Sequence, residues 1–277
     1  MPRNGVVDMF DSTLRDGSQA LGISFSVSDK LKIVELLDEL GVTWIEAGNP
    51  GSNPKDLEFF QKAAGLKLTT SRLVAFGATR RKEASCDNDA NLASLMQAGT
   101  STVAIFGKCW DFQVTEILRT THEENLAMIG DTVAWLVSRG KDVVFDAEHF
   151  FDGYATNAPY ALDCLQAAWQ AGARTLVLCE TRGGALPQDV APAVAEVRSR
   201  FPDAVIGIHA HDDGGVAVAN SLVAVAAGAT GHSVGFWGAL WQCKPGHHLR
   251  RPGLEDGAEG SGRQAARAAV RHLPGGS

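Results

Sequence analysis

The amino-acid sequence predicts an α/β fold, a (β/α)8 barrel, and three observations predict it. Short apolar runs alternate regularly with amphipathic stretches, the strand runs are nearly continuous in apolar character, and notable polar residues fall at or just past strand C-termini. The alternation means a parallel sheet, because each strand must be recrossed through a helix. Runs such as VVDMF, RLVAFGA, TVAIF and TLVLC suit strands buried on both faces. An open doubly wound sheet fits those two observations equally well. The third favours a closed barrel, whose strand C-termini converge on one mouth where active sites are built.

The elements follow in order. Residues 6–10 form the first strand and 28–40 the first helix, in which Leu31, Val34, Leu37 and Leu40 recur at steps of three with Lys30, Lys32, Glu35 and Asp38 outside. Ser28 is its predicted N-cap and Gly41 its C′ residue. Strand 42–47 leads through Gly51, Ser52, Asn53 and Pro54 into helix 55–64. Strand 73–78 precedes helix 89–97, closed by Gly99, and strand 102–106 precedes helix 123–138, closed by Gly140. Strand 142–147 is followed by helix 159–170, strand 175–179 by helix 188–200, and strand 205–208 by helix 216–227. After Thr230 the pattern stops. Residues 231–277 hold ten glycines, four of the eight histidines and two β-branched aliphatics, Val234 and Val270, a composition that packs poorly. The expected organisation is therefore a catalytic barrel over 1–230, its eighth strand lost or degraded, and an aberrant disordered tail over 231–277. Strands one and seven would then have open edges.

A chain of 277 residues suits one large domain. Its net charge of -7 excludes a general nucleic-acid binder. No apolar run approaches the roughly 18 residues of a membrane span, and the N-terminal residues lead into a strand with no signal-peptide core. Five cysteines, odd in number and without a CxxC pair, suit reduced thiols and a cytoplasmic protein.

Three polar clusters carry chemistry. The first is DSTLRDGSQ, residues 11–19, after strand one. The second is HAHDD, residues 209–213, where i and i+2 on an extended segment let His209 and His211 face one ion. A carboxylate such as Asp16 from strand one would complete a nitrogen and oxygen set. The third is DAEHFFD, residues 146–152, which puts Glu148 at the same mouth. Each cluster also has a plain structural reading: a lone HxH need not bind metal, Arg15 and Asp16 can form a loop ion pair, and Glu148 can cap a helix. Their convergence on one barrel end favours a site.

The runs DSTLRDGSQ, WIEAGNPGSNPKD, AFGATRRK, IFGKCWDFQVTEILRTT, VVFDAEHFFDGY, LVLCETRGGALP and IHAHDDGGVAVANSLVAVAAGA resemble the DRE-TIM metallolyases over residues 5 to about 230. That superfamily holds isopropylmalate, homocitrate and citramalate synthases and hydroxymethylglutaryl-CoA lyase. IFGKCWDFQVTEILRTT and DAEHFFDGY make the likeness closest to the citramalate synthases. The resemblance implies Asp16, His209 and His211 as ligands of a divalent metal (Mg2+, Mn2+ or Zn2+). It implies Arg15 as the group that meets negative charge on the keto oxygen, Glu46 as its partner, and Glu148 and Thr181 as walls of the keto-acid pocket. Acetyl-CoA would be the co-substrate, pyruvate the keto acid, (R)-citramalate the product and a homodimer the assembly. Alternatives within the superfamily are isopropylmalate or homocitrate synthase, which differ in the keto acid's side chain, with Thr181, Phe106 and Phe150 setting pocket size. A lyase running the cleavage direction and a non-catalytic remnant are further alternatives. A sugar-isomerase-like metal barrel lacks its carboxylate-rich donor set here. Glu180 and Arg182 stand where the family commonly has Asp and Asn.

The family continues into a segment resembling NGYGERCGNANL, whose Asn is a metal ligand, and the tail holds no such run as written. Read one base later, however, Trp237 followed by Gly238 must give Gly, and so must Trp241 followed by Gln242. With allowed codons elsewhere, residues 235–257 reread as GFGERCGNANLVTTFADLALKMG, the ligand Asn straddling the codons of Gln242 and Cys243. The tail is thus expected to be out of frame and the chain poorly active or inactive; the nucleotide sequence around codons 228–245 tests this directly. His247 and His248 would then have no selected role. Relatives of this type continue into a C-terminal regulatory, dimer-forming region.

Overall fold

The computed structural model describes residues 7–20 and 22–229, with the backbone of Ser233–Val234. Strands Met9–Asp11 (β1), Trp44–Gly48 (β2), Arg72–Ala78 (β3), Thr102–Lys108 (β4), Asp142–Glu148 (β5), Thr175–Glu180 (β6), Val205–Ala210 (β7) and Ser233–Val234 (β8) pair in sequence order and close into a parallel barrel. Helices Val27–Glu39 (α1), Pro54–Ala63 (α2), Ala90–Gln97 (α3), His122–Ser138 (α4), Phe150–Ala171 (α5), Pro187–Arg200 (α6) and Ala217–Ala226 (α7) connect them.

Alternation along each strand sorts the apolar residues into two cores. Val103, Ile105, Val143, Phe145, Leu176, Leu178, Ile206 and Ile208 face outward and pack beneath the helices. Phe10, Trp44, Val74, Phe76, Ala104, Val144, Val177 and Cys179 fill the barrel's interior. The same period carries the inward face upward from this floor. Asp146 and Glu148 follow Val144, Thr181 follows Cys179, and Phe106 and Lys108 follow Ala104, so polar side chains collect at the C-terminal mouth.

The seven βα units predicted by periodicity are all present, with boundary shifts that have local causes. The first strand starts at Met9 rather than residue 6. Helix α1 starts one residue earlier than expected because Ser26, not Ser28, caps it. Its hydroxyl accepts from Asp29 N at 3.1 Å while Asp29 Oδ2 accepts from Ser26 N at 2.9 Å, a reciprocal capping box. Helix α5 begins at Phe150, not 159. Asn157 leaves helical geometry (φ -150, ψ 73) just before Pro159, so the proline, which cannot donate an N–H, opens a second helical stretch after a kink. Between β4 and α4, where periodicity predicts nothing, Gln113–Leu118 forms a π-helical turn ended by Arg119 at φ 53.

Two charges of α1 that the pattern puts outside are buried. Lys30 Nζ donates to Asp56 Oδ1 at 2.5 Å and to the Ala47 carbonyl at 2.9 Å. Asp38 accepts from the backbone N–H groups of Thr69, Thr70 and Ser71. The first contact matters for the site. The β2–β3 register slips between Glu46 and Gly48, and a bulge of this kind re-aims a side chain. Lys30 and Asp56 tie α1 and α2 to that irregular strand end, and Gly48 (φ 147) lies where a Cβ would meet the Asp56 carboxylate at 2.5 Å.

The eighth strand is reduced to two residues. Ser233 and Val234 pair with Met9 and Phe10 on one side and with Ile208 and His209 on the other. The edges of β1 and β7, expected to be open, are therefore each covered at two positions. The rest of 231–277, and with it the expected out-of-frame tail, lies outside the described residues. Cys86, Cys109, Cys164 and Cys179 are all free and buried.

Candidate metal centre and active site

The turn after β1 sets the first two site residues. Asp11 accepts from Thr13 N and Thr13 Oγ1, both at 3.0 Å, and the Ser12 carbonyl accepts from Arg15 N and Gly17 N. This compact turn aims Arg15 and Asp16 across the mouth. Arg15 Nε donates to Glu46 Oε2 at 2.6 Å, and its Nη1 to Asp16 Oδ1 at 3.0 Å. Its guanidinium carbon lies 3.8 Å from the centroid of the Phe76 ring, a cation–π seat. Ser12 Oγ donates to the same Glu46 oxygen at 2.5 Å. Burial disfavours the Arg15 cation, but Glu46, Asp16 and Asp146 outweigh it and raise its pKa.

His209 and His211, two apart at the end of β7, both turn to Asp16. Their Nε2 atoms lie 3.7 and 3.6 Å from Asp16 Oδ2, too far for hydrogen bonds. His209 Nε2 is buried with no hydrogen-bond partner. Adjacent nitrogen and oxygen donors around a divalent ion at about 2.0–2.2 Å stand roughly 3.0–3.5 Å apart. The three residues therefore fit a cation after shifts of a few tenths of an ångström, and their ligand atoms all lie within 4.8 Å of one another. Burial pushes the Asp16 carboxyl up, but His209, Arg15 and His211 hold it well below the usual carboxylate range. Burial, then the neighbouring His209, lowers the His211 pKa. An ionised carboxylate beside a neutral imidazole is the ligand form a metal needs.

A cavity of about 430 Å³ opens here, lined by Arg15, Asp16, Glu148, Thr181, His209 and His211 together with Phe76 and Phe106. Its size is that of small-molecule sites. Glu46 lies below it, fully buried, and reaches it through Arg15. Glu148 Oε2 stands 2.5 Å from Lys108 Nζ, a close ion pair that lacks hydrogen-bond alignment. Thr181 Oγ1 accepts from His149 N at 2.9 Å.

Two residues just past strand ends, Phe150 and Arg80, do not join this group. Phe150 packs in the outer core, its ring 5.4 Å from that of Phe151, because it follows the strand as the first residue of α5. Arg80 pairs with Glu124 and Asp131 on α4. Conversely, Cys179, Asn49 and Ser52 line the cavity without having been singled out, as do Asp146 and Gln19, which stood in the polar clusters with no role of their own. Asp146, Cys179 and His209 form a second, deeper cluster of possible donors. Burial, then Glu46, pushes the Asp146 carboxyl up to about 7, and burial, then Asp146, pushes the Cys179 thiol well above its ordinary value. Period-two spacing back from Glu148 and Thr181 is the signal that locates both.

The turn carries a pH prediction. Burial raises the Asp11 carboxyl from 3.8 to about 6 despite its bonds to Thr13. Between those values the folded chain holds a proton that the unfolded chain has lost, so stability falls as pH rises through that window and the loss stays complete above it. Asp11→Asn forfeits part of the Thr13 bonding at every pH but removes this slope. Relative to wild type, its Tm should improve by roughly 4–8 °C between pH 4.5 and 7.5, about 2 kcal/mol. A difference flat across that range would refute the assignment.

Fold and site together define a closed parallel α/β barrel, of eight strands and seven α-helices among the described residues, with a His–His–carboxylate cluster and a buried arginine at its C-terminal mouth. The chain belongs to the HMGL-like family, whose model matches residues 6–239. It is 52% identical over 223 residues to the (R)-citramalate synthase of Aquifex aeolicus and 50% identical over 231 residues to that of Synechocystis. Each match covers 80% of this chain and 42% of the relative. A 2-isopropylmalate synthase from Photobacterium profundum is 37% identical over 226 residues, with the same coverage. The chain thus spans under half the length of these relatives. Among solved structures, the hydroxymethylglutaryl-CoA lyase of Bacillus subtilis superposes with a TM-score of 0.69 at 20% identity, covering 84% of this chain and 77% of that one, a likeness of fold. Among the described residues no helix is long and apolar enough to cross a membrane.

Proposed function

We propose that this chain carries the catalytic barrel of an acyltransferase that condenses acetyl-CoA with a 2-keto acid, pyruvate giving (R)-citramalate. The observation that carries the reading is the convergence of His209 and His211 on one Asp16 oxygen beside Arg15. About 50% identity to several citramalate synthases supports it over the isopropylmalate alternative. Asp16, His209 and His211 would hold a divalent ion, whose chemistry when bound is Lewis-acid polarisation of a carbonyl oxygen. Arg15 presents a fixed cation to the oxygen that gains negative charge as the acetyl methyl, having lost a proton, bonds to the keto carbon. Because Glu46, itself held by Ser12, already fixes that guanidinium, little reorganisation is needed as charge develops. Phe76 and Phe106, stacked at 5.3 Å, present apolar faces suited to a small side chain, and Glu148 and Thr181 form the polar wall. Water then cleaves the thioester and releases CoA. The reading implies a cytoplasmic biosynthetic enzyme, of a family whose intact members dimerise through a region C-terminal to the barrel.

Residues 231–277 belong to this proposal as an out-of-frame tail lacking the family's metal-ligating Asn. With Mg2+ or Mn2+, the chain as it stands should release CoA from acetyl-CoA and pyruvate slowly or not at all. A chain carrying GFGERCGNANLVTTFADLALKMG at 235–257 should turn over with pyruvate in preference to bulkier keto acids. Robust turnover by the unaltered chain would show its tail to be functional, and a preference for a branched or dicarboxylic keto acid would move the assignment elsewhere in the family.

A further inference from the structure

Outside the cavity, beside the walls formed by Glu148 and Thr181, lies a rim that the proposed reaction does not yet use. Arg182 follows Thr181 in a turn fixed from two directions. Buried Glu180 accepts from Gly184 N at 3.2 Å, and the Gly183 carbonyl accepts from Gly214 N at 2.8 Å. Gly183 itself (φ 67) packs where a Cβ would stand 2.4 Å from the Asp213 carboxylate. This backbone presents the Arg182 side chain outward, 58% exposed. Its Nε lies 3.0 Å from Asp152 Oδ1, an ion pair without hydrogen-bond alignment, and the other Asp152 oxygen is 2.9 Å from His149 Nδ1. Its guanidinium carbon lies 5.7 Å from the Trp110 ring centroid. Trp110 in turn neighbours His149 at 5.5 Å and Phe112 at 5.2 Å, and Phe112 is 49% exposed.

An arginine tethered through Nε keeps its terminal fork available, and its two terminal nitrogens have no acceptor among the described residues. Such a fork suits phosphate oxygens. The half-buried Trp110 and exposed Phe112 beside it suit the flat face of a nucleobase. None of Arg182, Trp110 and Phe112 lines the cavity, so they cannot serve a small keto acid inside it. The long donor arm must lie outside. Resting on the acyl-CoA reading above, we propose that Arg182, held by Asp152 and Trp110, anchors the phosphates of coenzyme A, with Trp110 and Phe112 as the platform for its base.

Calorimetry on the full chain with Mn2+ and pyruvate tests this with CoA and with pantetheine, which lacks the nucleotide and its phosphates. Wild type should bind CoA more tightly than pantetheine. Arg182→Asn should raise the Kd for CoA about tenfold, the loss of one charge-assisted contact, and leave pantetheine unchanged. Trp110→Ala should weaken CoA binding in the same selective way. If Arg182→Asn leaves CoA affinity intact, weakens both ligands equally, or if wild type binds pantetheine as well as CoA, the anchor is overturned while the acyl-CoA reading stands. A wild type that binds neither ligand overturns both.

Discussion

Asp16→Asn, His209→Ala and His211→Ala are each expected to abolish the rise in Tm that Mn2+ gives the wild-type chain. A ligand that binds only the folded state stabilises it by about 2.7 kcal/mol at a hundredfold excess over its Kd, or roughly 5–10 °C for a domain of this size. All three residues supply donors to one position, so the loss in any single variant should be nearly complete rather than a third of the total. Each variant's metal-free Tm is its own baseline. His211, a quarter exposed, should fold almost as well as wild type when truncated, whereas buried His209 carries a packing cost as well. Thermal scans with Mn2+ and with EDTA separate the two effects, and they do so whether or not the chain turns over. Undiminished Mn2+ stabilisation in both histidine variants would remove the ion from this site and with it the proposed chemistry.

The barrel was legible because both halves of each unit speak locally. Strands such as 143–145 and 176–178 are apolar throughout, and α1 shows its periodic stripe, so neither needs tertiary information. The rank of site residues at strand ends was legible for the same reason. Depth was not. Sequence spacing tells which residues share a strand face, but not which face is the barrel's interior or how far up it a residue sits. Glu148 was therefore found without Asp146, and Thr181 without Cys179, although each pair shares a face. Phe150 misled because two residues beyond Glu148 on a strand would have pointed inward, but the chain has already turned into α5. Arg80 follows β3 as Lys108 ends β4, yet two α4 carboxylates draw it away from the cavity. The Lys30–Asp56 pair joins residues 26 apart, which no local period reports. The two-residue β8 is the opposite case: its segment carries almost no strand signal, and its place is set by the gap between β1 and β7.

Glu46→Ala should be the most destabilising single change in the site. It leaves a guanidinium with 10% side-chain exposure paired only to Asp16, and strips the acceptor from Ser12. Breaking one side of a buried ion pair costs about 3–5 kcal/mol. Since Asp16 remains at 3.0 Å, the lower end is expected, a Tm decrease of roughly 6–12 °C. Glu46→Gln, which keeps an acceptor for Arg15 Nε, should lose less. The informative partner is the double change Arg15→Met with Glu46→Leu. An apolar pair of similar volume often replaces a buried ion pair at little cost, and Phe76 already offers an apolar surface there, so stability should return to within about 1 kcal/mol of wild type. The frame-restored chain carrying the same double change should nonetheless show no pyruvate-dependent release of CoA. A stable barrel without turnover would mean that the charge at position 15 is kept for the oxygen it faces and not for the fold. If the double variant is instead as unstable as Glu46→Ala, the pair is structural and Arg15 loses its place in the reaction.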